Sequence, residues 1–287
     1  ASLVPPLDGL VPESGRKLLT SFESLEDEQW LHIHGLSRGH PLVLELINRG
    51  ASAGAFHETL ENYVTVEIFS KLTAEQKRVL SALSIFREPV ELDALAQQQL
   101  DTDELDSLVE SGLARQADSE TYDVHDLIRE FLLRSLTPAL RQEFHAKCVD
   151  WYQKQTQTHD MLMELIYHSI QAAQYEAASN LIVSEGRQLV SQGYMELLGL
   201  IEQIETNDLG SEVVVRMAQL QGDILALLGR LDEAEQVLNA TLERAKKNAD
   251  ELVQAEILSS MADVSRKQGD SDVSLSRHKQ ALKHYIA

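Results

Sequence analysis

Two stretches near the C-terminus repeat one spacing of small residues. In "LQGDILALLGRLDEAEQVL", Gly222 is followed seven residues later by Gly229 and five after that by Ala234; in "MADVSRKQGDSDVSL", Ala262, Gly269 and Ser274 reproduce those offsets 40 residues on. Small side chains let two antiparallel helices approach closely, and a glycine between them supplies the left-handed backbone that a tight turn needs. Such a hairpin cannot bury its apolar face alone, so it must stack on its neighbours. A degenerate relative lies at 167–182, "YHSIQAAQYEAASNLI", with Gln174 where the glycine would stand. Helical periodicity after Pro138 predicts helices near 138–155, 160–173, 175–191, 194–204, 211–228, 231–247, 250–267 and 271–286.

The first half is also largely helical, with one interruption. Pro12 opens a pattern through Leu18, Leu19 and Phe22, and a second helix near 26–36 carries Trp30, Ile33 and His34 on its inner face. In "SRGHPLVLELINRG", Gly39 ends one element and Pro41 opens a helix bearing Leu42, Leu44, Leu46 and Ile47. A further pattern spans 55–71, with Phe56, Leu60, Tyr63, Val64, Ile68 and Phe69. "LTAEQKRVLSALSIF" then reads as a helix with a capping box between Thr73 and Gln76 and an inward set of Val79, Leu80, Leu83 and Phe86. "PVELDALAQ" is a short helix, and "DTDELDSLVESG" is a third, capped by Asp101, facing inward with Leu105, Leu108 and Val109, and ended by Gly112. "LARQADSETYDVH" alternates as two short strands about a polar turn at Asp118–Glu120, and "DLIREFLLRSL" is one more helix. Three helices followed by a β-hairpin is the order of a winged helix.

Several chemistries are excluded or disfavoured. The chain carries 46 acidic against 25 basic residues, a net charge of −21, which repels nucleic acid and anionic membranes. Residues 73–136 alone hold 14 acids and 6 bases, a net −8, and the helix that would enter a DNA groove contains Asp101, Asp103, Glu104, Asp106 and Glu110 with no Lys or Arg. DNA binding by this element is therefore disfavoured. No stretch approaches the apolar length of a membrane span, and one cysteine, Cys148, suits a reducing, cytoplasmic compartment. His145 lies three residues before Cys148 on one helix face, which reads as core; His32 and His34, two apart on a helix, do not converge on a metal. The phosphate-cradling G-x-x-x-x-G-K-[ST] pattern does not occur. The start, "ASLVPPLDGLVPES", is loop-like, as expected of a segment cut from a longer protein. One candidate contact remains. His125 falls between a strand end and a helix, beside Asp126, a natural N-cap; a helix N-terminus attracts anions, but the pair can equally be a plain cap.

The order of these elements resembles the C-terminal half of the STAND class of signal-transducing ATPases, which includes the NB-ARC proteins and the MalT-like regulators. "GLSRGHPLVLELI" is similar to the family's G-x-P-L-A-L helix start, "VHDLIREFL" to its M-H-D-L motif, and "LTAEQKRVLSALSIFREPVELDAL" to the opening of its winged helix. His125 follows His40 by 85 residues, a separation that also matches. Val124 departs from the family's usual methionine. The tail resembles the tetratricopeptide-like (TPR-like) sensor arrays of MalT-type members.

The resemblance implies a mainly α fold: a helical subdomain (1–72), a winged helix (73–136) and a TPR-like array (137–287). It implies that Pro41 packs on the adenine of a bound nucleotide and that His125 contacts the β-phosphate of ADP, with Gly39, His40 and Asp126 in support. The winged helix would be a lid over the nucleotide, and the array would bind an effector protein, peptide or small molecule. ADP or ATP with Mg would be held chiefly by a P-loop domain outside this chain, so this segment is expected to be non-catalytic, with no cofactor of its own and no metal. Two other readings stay open: a winged-helix transcriptional regulator with a TPR ligand sensor, and a stand-alone TPR adaptor.

Overall fold

In a computed structural model of the chain, the described residues are 10–20, 26–37, 39, 41, 44, 47–48, 69–98, 100, 103–118, 120–155, 158–248 and 250–286, without the side chains of His32, Leu36 and Leu127. The chain packs as two compact units, Ala1–Arg141 and Gln142–Ala287.

The first unit opens with α1 (Pro12–Arg16), which has its proline in the first turn, and α2 (Asp27–Ser37). Residues 41, 44, 47 and 48 are helical. Leu19, Trp30, Ile33, Leu44 and Ile47 form one buried cluster, and Leu10, Phe69 and Phe131 pack against it. His34 is half-buried and bonds through Nε2 to the Leu10 carbonyl at 2.9 Å. Most of the 55–71 pattern lies outside the described residues; its end is a 3-10 turn, Phe69–Lys71.

Next comes α3 (Ala74–Ile85), with the capping box in place: Gln76 N–H donates to Thr73 Oγ1 at 3.1 Å and Thr73 N–H to Gln76 Oε1 at 3.0 Å. Val79, Leu80, Leu83 and Phe86 are buried, as their spacing predicts. β1 (Val90–Glu91), α4 (Leu92–Ala96), α5 (Glu104–Glu110), β2 (Ala114–Gln116), β3 (Thr121–Val124) and α6 (Asp126–Ser135) follow. The sheet is antiparallel in the order β1-β3-β2, with Val90 opposite Tyr122 and Ala114 opposite Val124.

The sequence gives two strands here and the structure three, because two residues at β1 are too few to show alternation. Helix α5 starts later than expected, with Asp103 at its N-cap and no side-chain cap bond; Asp101 lies outside the described residues. Leu105 and Leu108 are buried and Val109 half-buried, and Gly112 ends the segment at φ 77°. Asp118 makes the polar turn by accepting from the N–H groups of Glu120 and Thr121, both at 2.9 Å. Those bonds favour its ionised form and hold its carboxyl below the usual range.

The second unit holds the remainder of α7 (Pro138–Tyr152), then α8 (His159–Gln171), α9 (Tyr175–Ser191), α10 (Leu197–Ile201), α11 (Ser211–Leu227), α12 (Leu231–Lys247), α13 (Glu251–Gln268) and α14 (Ser271–Ile286). A continuous apolar cluster runs from Leu162 to Ala281. The hairpins α11–α12 and α13–α14 turn at Gly229 (φ 79°) and Gly269 (φ 94°), the two glycines of the repeat. A Cβ on Gly222 would stand 2.6 Å from Leu238 Cγ, so the glycine sets how closely α11 and α12 approach. At the degenerate turn, α8–α9, the positive φ of 56° falls on Ala173, one residue before the expected Gln174. Ala173 ends α8 as Gly229 ends α11, and Gln174 is the N-cap of α9.

Candidate functional site

The two motif segments sit in the first unit. Gly39 is buried with φ 70°, the left-handed conformation that closes a helix; its N–H donates to Ser37 Oγ at 3.1 Å and its carbonyl accepts from Leu10 N–H at 2.7 Å. His40 lies outside the described residues. Pro41 is exposed at a helical position, and Leu44 and Ile47 carry that helix into the buried cluster. Phe131, on the helix that "VHD" opens, packs on the same cluster, its ring 4.7 Å from that of Phe69. The helices that follow Pro41 and His125 thus share one apolar core.

His125 is half-buried between β3 and α6. Its carbonyl accepts the first intrahelical bond, from Arg129 N–H at 2.9 Å, so His125 holds the N-cap position. Asp126, expected there, is the first helical residue, and its side chain is 95% exposed. An acidic residue in a first turn still complements the helix dipole.

Beneath this junction lies a polar anchor that the sequence reading left without a role. Asp123 is buried, accepts from Arg115 Nη2 at 2.6 Å and from Val124 N–H at 2.7 Å, and pairs with Arg129. Arg129 also reaches the carbonyls of Ser84 and Val124, each at 3.4 Å. A buried carboxylate held by two guanidiniums fixes the strand-to-helix corner, and with it the backbone on either side of His125. The signal was an acid on the strand and an arginine one turn into the following helix.

The second unit carries a cleft of about 530 Å³ along the first helices of the repeats. Its lining includes Arg187 on α9, Gln219 and Asp223 on α11, and Glu256, Ser260 and Asp263 on α13. Arg187 and Arg216 flank Glu256 at 3.3 and 3.5 Å, and Lys267 Nζ donates to the Ala226 carbonyl at 2.8 Å. Burial pushes the Asp223 carboxyl above the ordinary carboxylate range; a bond to Ser260 and the charge of Arg187 oppose this, while Asp263 and Glu256 reinforce it. Leu227 and Tyr285 are exposed on the rim. Asp223 and Asp263 are 40 residues apart, so the repeat sets one carboxylate at the same place on successive hairpins. That relation was present in the sequence; which helix face lines the cleft was not.

His145 and His168 meet in the core through their Nδ1 atoms at 2.9 Å, which requires one to donate and the other to accept. Cys148 is buried beside this layer of α7. Among the described residues no three His, Cys, Asp or Glu side chains are grouped to hold a metal, and no helix is long and apolar enough to cross a membrane.

Residues 215–287, which span α11 to α14, match the tetratricopeptide repeat family. Repeat arrays of this kind present extended faces for partner binding. A solved structure with the same fold is that of a signal-transduction ATPase with numerous domains (STAND) protein with a tetratricopeptide repeat sensor from Pyrococcus horikoshii. The two superpose with a TM-score of 0.54 at 21% sequence identity, over 97% of this chain and 54% of the other. The chain thus spans about half the length of that protein. No curated protein matches it in sequence.

Proposed function

We propose that this chain is the regulatory half of a STAND-type signal-transducing ATPase. Residues 73–136 form a winged-helix lid whose position follows the bound nucleotide. The repeats take an effector or partner protein in the cleft along α11 and α13. The observation that carries the reading is the shared core of the two motif helices: Leu44 and Ile47 behind Pro41, and Phe131 behind His125, pack on one cluster. One nucleotide can then be touched by both motifs, at the adenine by Pro41 and at the β-phosphate by His125, with Gly39, His40 and Asp126 in support. The first-turn N–H groups of α6, which have no acceptor within the helix, lie beside a half-buried imidazole and suit an anionic oxygen. ADP or ATP with Mg would rest mainly on a P-loop domain elsewhere in the protein, and this segment itself would be non-catalytic. Likeness of fold to a STAND protein with a TPR sensor supports the same assignment.

The test is photolabelling with 8-azido-ADP in the longer protein that carries this chain and a P-loop domain. The label is expected in the peptide that contains Pro41 and is competed by ADP; labelling that spares this peptide would refute the site. A winged-helix transcriptional regulator is the second reading, favoured by the element order alone. Helix α5, where a recognition helix would stand, presents Glu104, Asp106 and Glu110 and no cation. A gel shift at moderate salt separates the two, with no shift expected.

A further inference from the structure

The cleft along α11 and α13 holds groups of both signs, and most of them are already matched. Arg187 and Arg216 both stand on Glu256, at 3.3 and 3.5 Å. Arg266 pairs with Asp263 at 3.1 Å. Lys267 rests on the Ala226 carbonyl at 2.8 Å, at the C-terminal end of α11, which a cation complements. Asp223 is the exception. Among the described residues no lysine or arginine bonds to it, and the hydrogen bond from Ser260 leaves acceptor capacity unused. Withdrawal from water works against its charged form, the form that a cation would favour.

One turn before Asp223, on the same face of α11, is Gln219. It is only 2% exposed, and its amide makes no hydrogen bond among the described residues. That amide is not sealed in the core but opens on the cleft. A withdrawn amide without a partner carries a desolvation cost that a bound polar group removes. Ala226 and Leu227 follow Asp223 by three and four residues and bring apolar surface to the same place. A carboxylate without a counter-ion, an open amide and an apolar wall thus share one stretch of α11. The cleft there, about 530 Å³, has room for an organic group and not merely an ion.

The chemistry chooses among cations. A guanidinium binds a carboxylate best through both oxygens, and Ser260 already occupies part of this one. An ammonium is a compact charge on a flexible four-carbon stem, and it needs only one oxygen. Such a stem can lie along Ala226 and Leu227 while its head reaches Asp223. Residues 142–287 carry 22 acids and 13 bases, so a basic segment is also drawn toward this unit.

We propose that the cleft takes a lysine side chain of the effector protein. Its ammonium is held by Asp223 and the amide oxygen of Gln219, and its stem lies on Ala226 and Leu227. The assignment rests on the reading of this cleft as the effector site, and it makes Asp223 the residue that selects a basic partner over an acidic one.

The probe is Nα-acetyl-L-lysine amide, titrated into the isotope-labelled chain and followed by NMR at the side-chain amide of Gln219, whose signals are assigned by their loss in Gln219→Leu. Saturable shifts are expected, with a Kd on the order of 1 mM. Nα-acetyl-L-norleucine amide, which keeps the stem without the charge, and Nα-acetyl-L-glutamate amide leave the signals in place. Asp223→Asn preserves the shape of the site and weakens the lysine probe about tenfold or more, as loss of a bond between charged groups requires. Absent shifts with the lysine probe, or shifts that Asp223→Asn leaves unchanged, overturn the proposal. If the glutamate or norleucine probe moves the Gln219 signals and the lysine probe does not, the cleft stands as the effector site and the choice of lysine falls. If none of the three moves them, both fall.

Discussion

Gly222→Ala tests the packing logic of the repeat most sharply. The added Cβ meets Leu238 Cγ at 2.6 Å and Cδ2 at 2.7 Å, whereas carbon atoms sit comfortably about 3.5–4.0 Å apart. The overlap is about 1 Å, and it falls on a branch atom that rotation about the Cβ–Cγ bond cannot move, in a side chain that is fully buried. Overpacking of this kind costs about 1–3 kcal/mol, and exchanging a mid-helix glycine for alanine returns about 1 kcal/mol. The net runs from about zero to a loss of about 2 kcal/mol, or up to about a 30-fold rise in the open population. Hydrogen exchange read by mass spectrometry on peptides from α11 and α12 reports that population locally, without assuming that both units unfold together. Gly199→Ala is the internal control: nothing lies within 4 Å of its Cβ, so it stabilises α10 by the propensity term alone. Leu238→Ala removes the obstacle, so Gly222→Ala/Leu238→Ala loses less than the sum of the single changes. Slower exchange in Gly222→Ala, or strict additivity in the double variant, refutes the reasoning.

Other outcomes follow from the same structure. Asp223→Asn stabilises the second unit at neutral pH: a carboxyl whose pKa is raised in the fold contributes stability at low pH and loses it as pH rises through the folded value, so the gain disappears below the ordinary value of 3.8 in urea titrations across pH. Arg129→Ala leaves Asp123 buried with Arg115 as its remaining guanidinium, and costs the first unit about 3 kcal/mol in denaturant unfolding, where loss of a partner is the damaging event. Ala173→Gly relieves a left-handed alanine and raises the melting temperature of the second unit, for a gain of up to about 1 kcal/mol.

What the sequence makes legible divides by physical scale. Helix α9 and helix α12 begin and end where periodicity puts them, because 3.6-residue spacing over many turns is a strong signal. The capping box at Thr73 is equally readable, since both partners are local. What escapes is decided by tertiary contact. β1 exists because β3 lies beside it, and two residues cannot announce that. Asp126 has the composition of a cap, yet the chain enters α6 one residue earlier, where the Asp123–Arg129 pair holds the corner. At the degenerate turn, the offset of Ala173 from Gln174 is a register that no glycine marks. The cleft was half-legible: Asp223 and Asp263 share a repeat position, but a repeated carboxylate looks like a solvated face until the helices that desolvate it are in place.

The central proposal, that His125 reads the nucleotide phosphate through the lid, is tested most directly by the rate of ADP release from a protein in which a P-loop domain of the proposed class precedes this chain. Loss of a hydrogen bond to a charged group is worth about 1.5–3 kcal/mol, so His125→Ala should release ADP about 10- to 100-fold faster than the parent. An unchanged release rate, with the variant folded, contradicts the account.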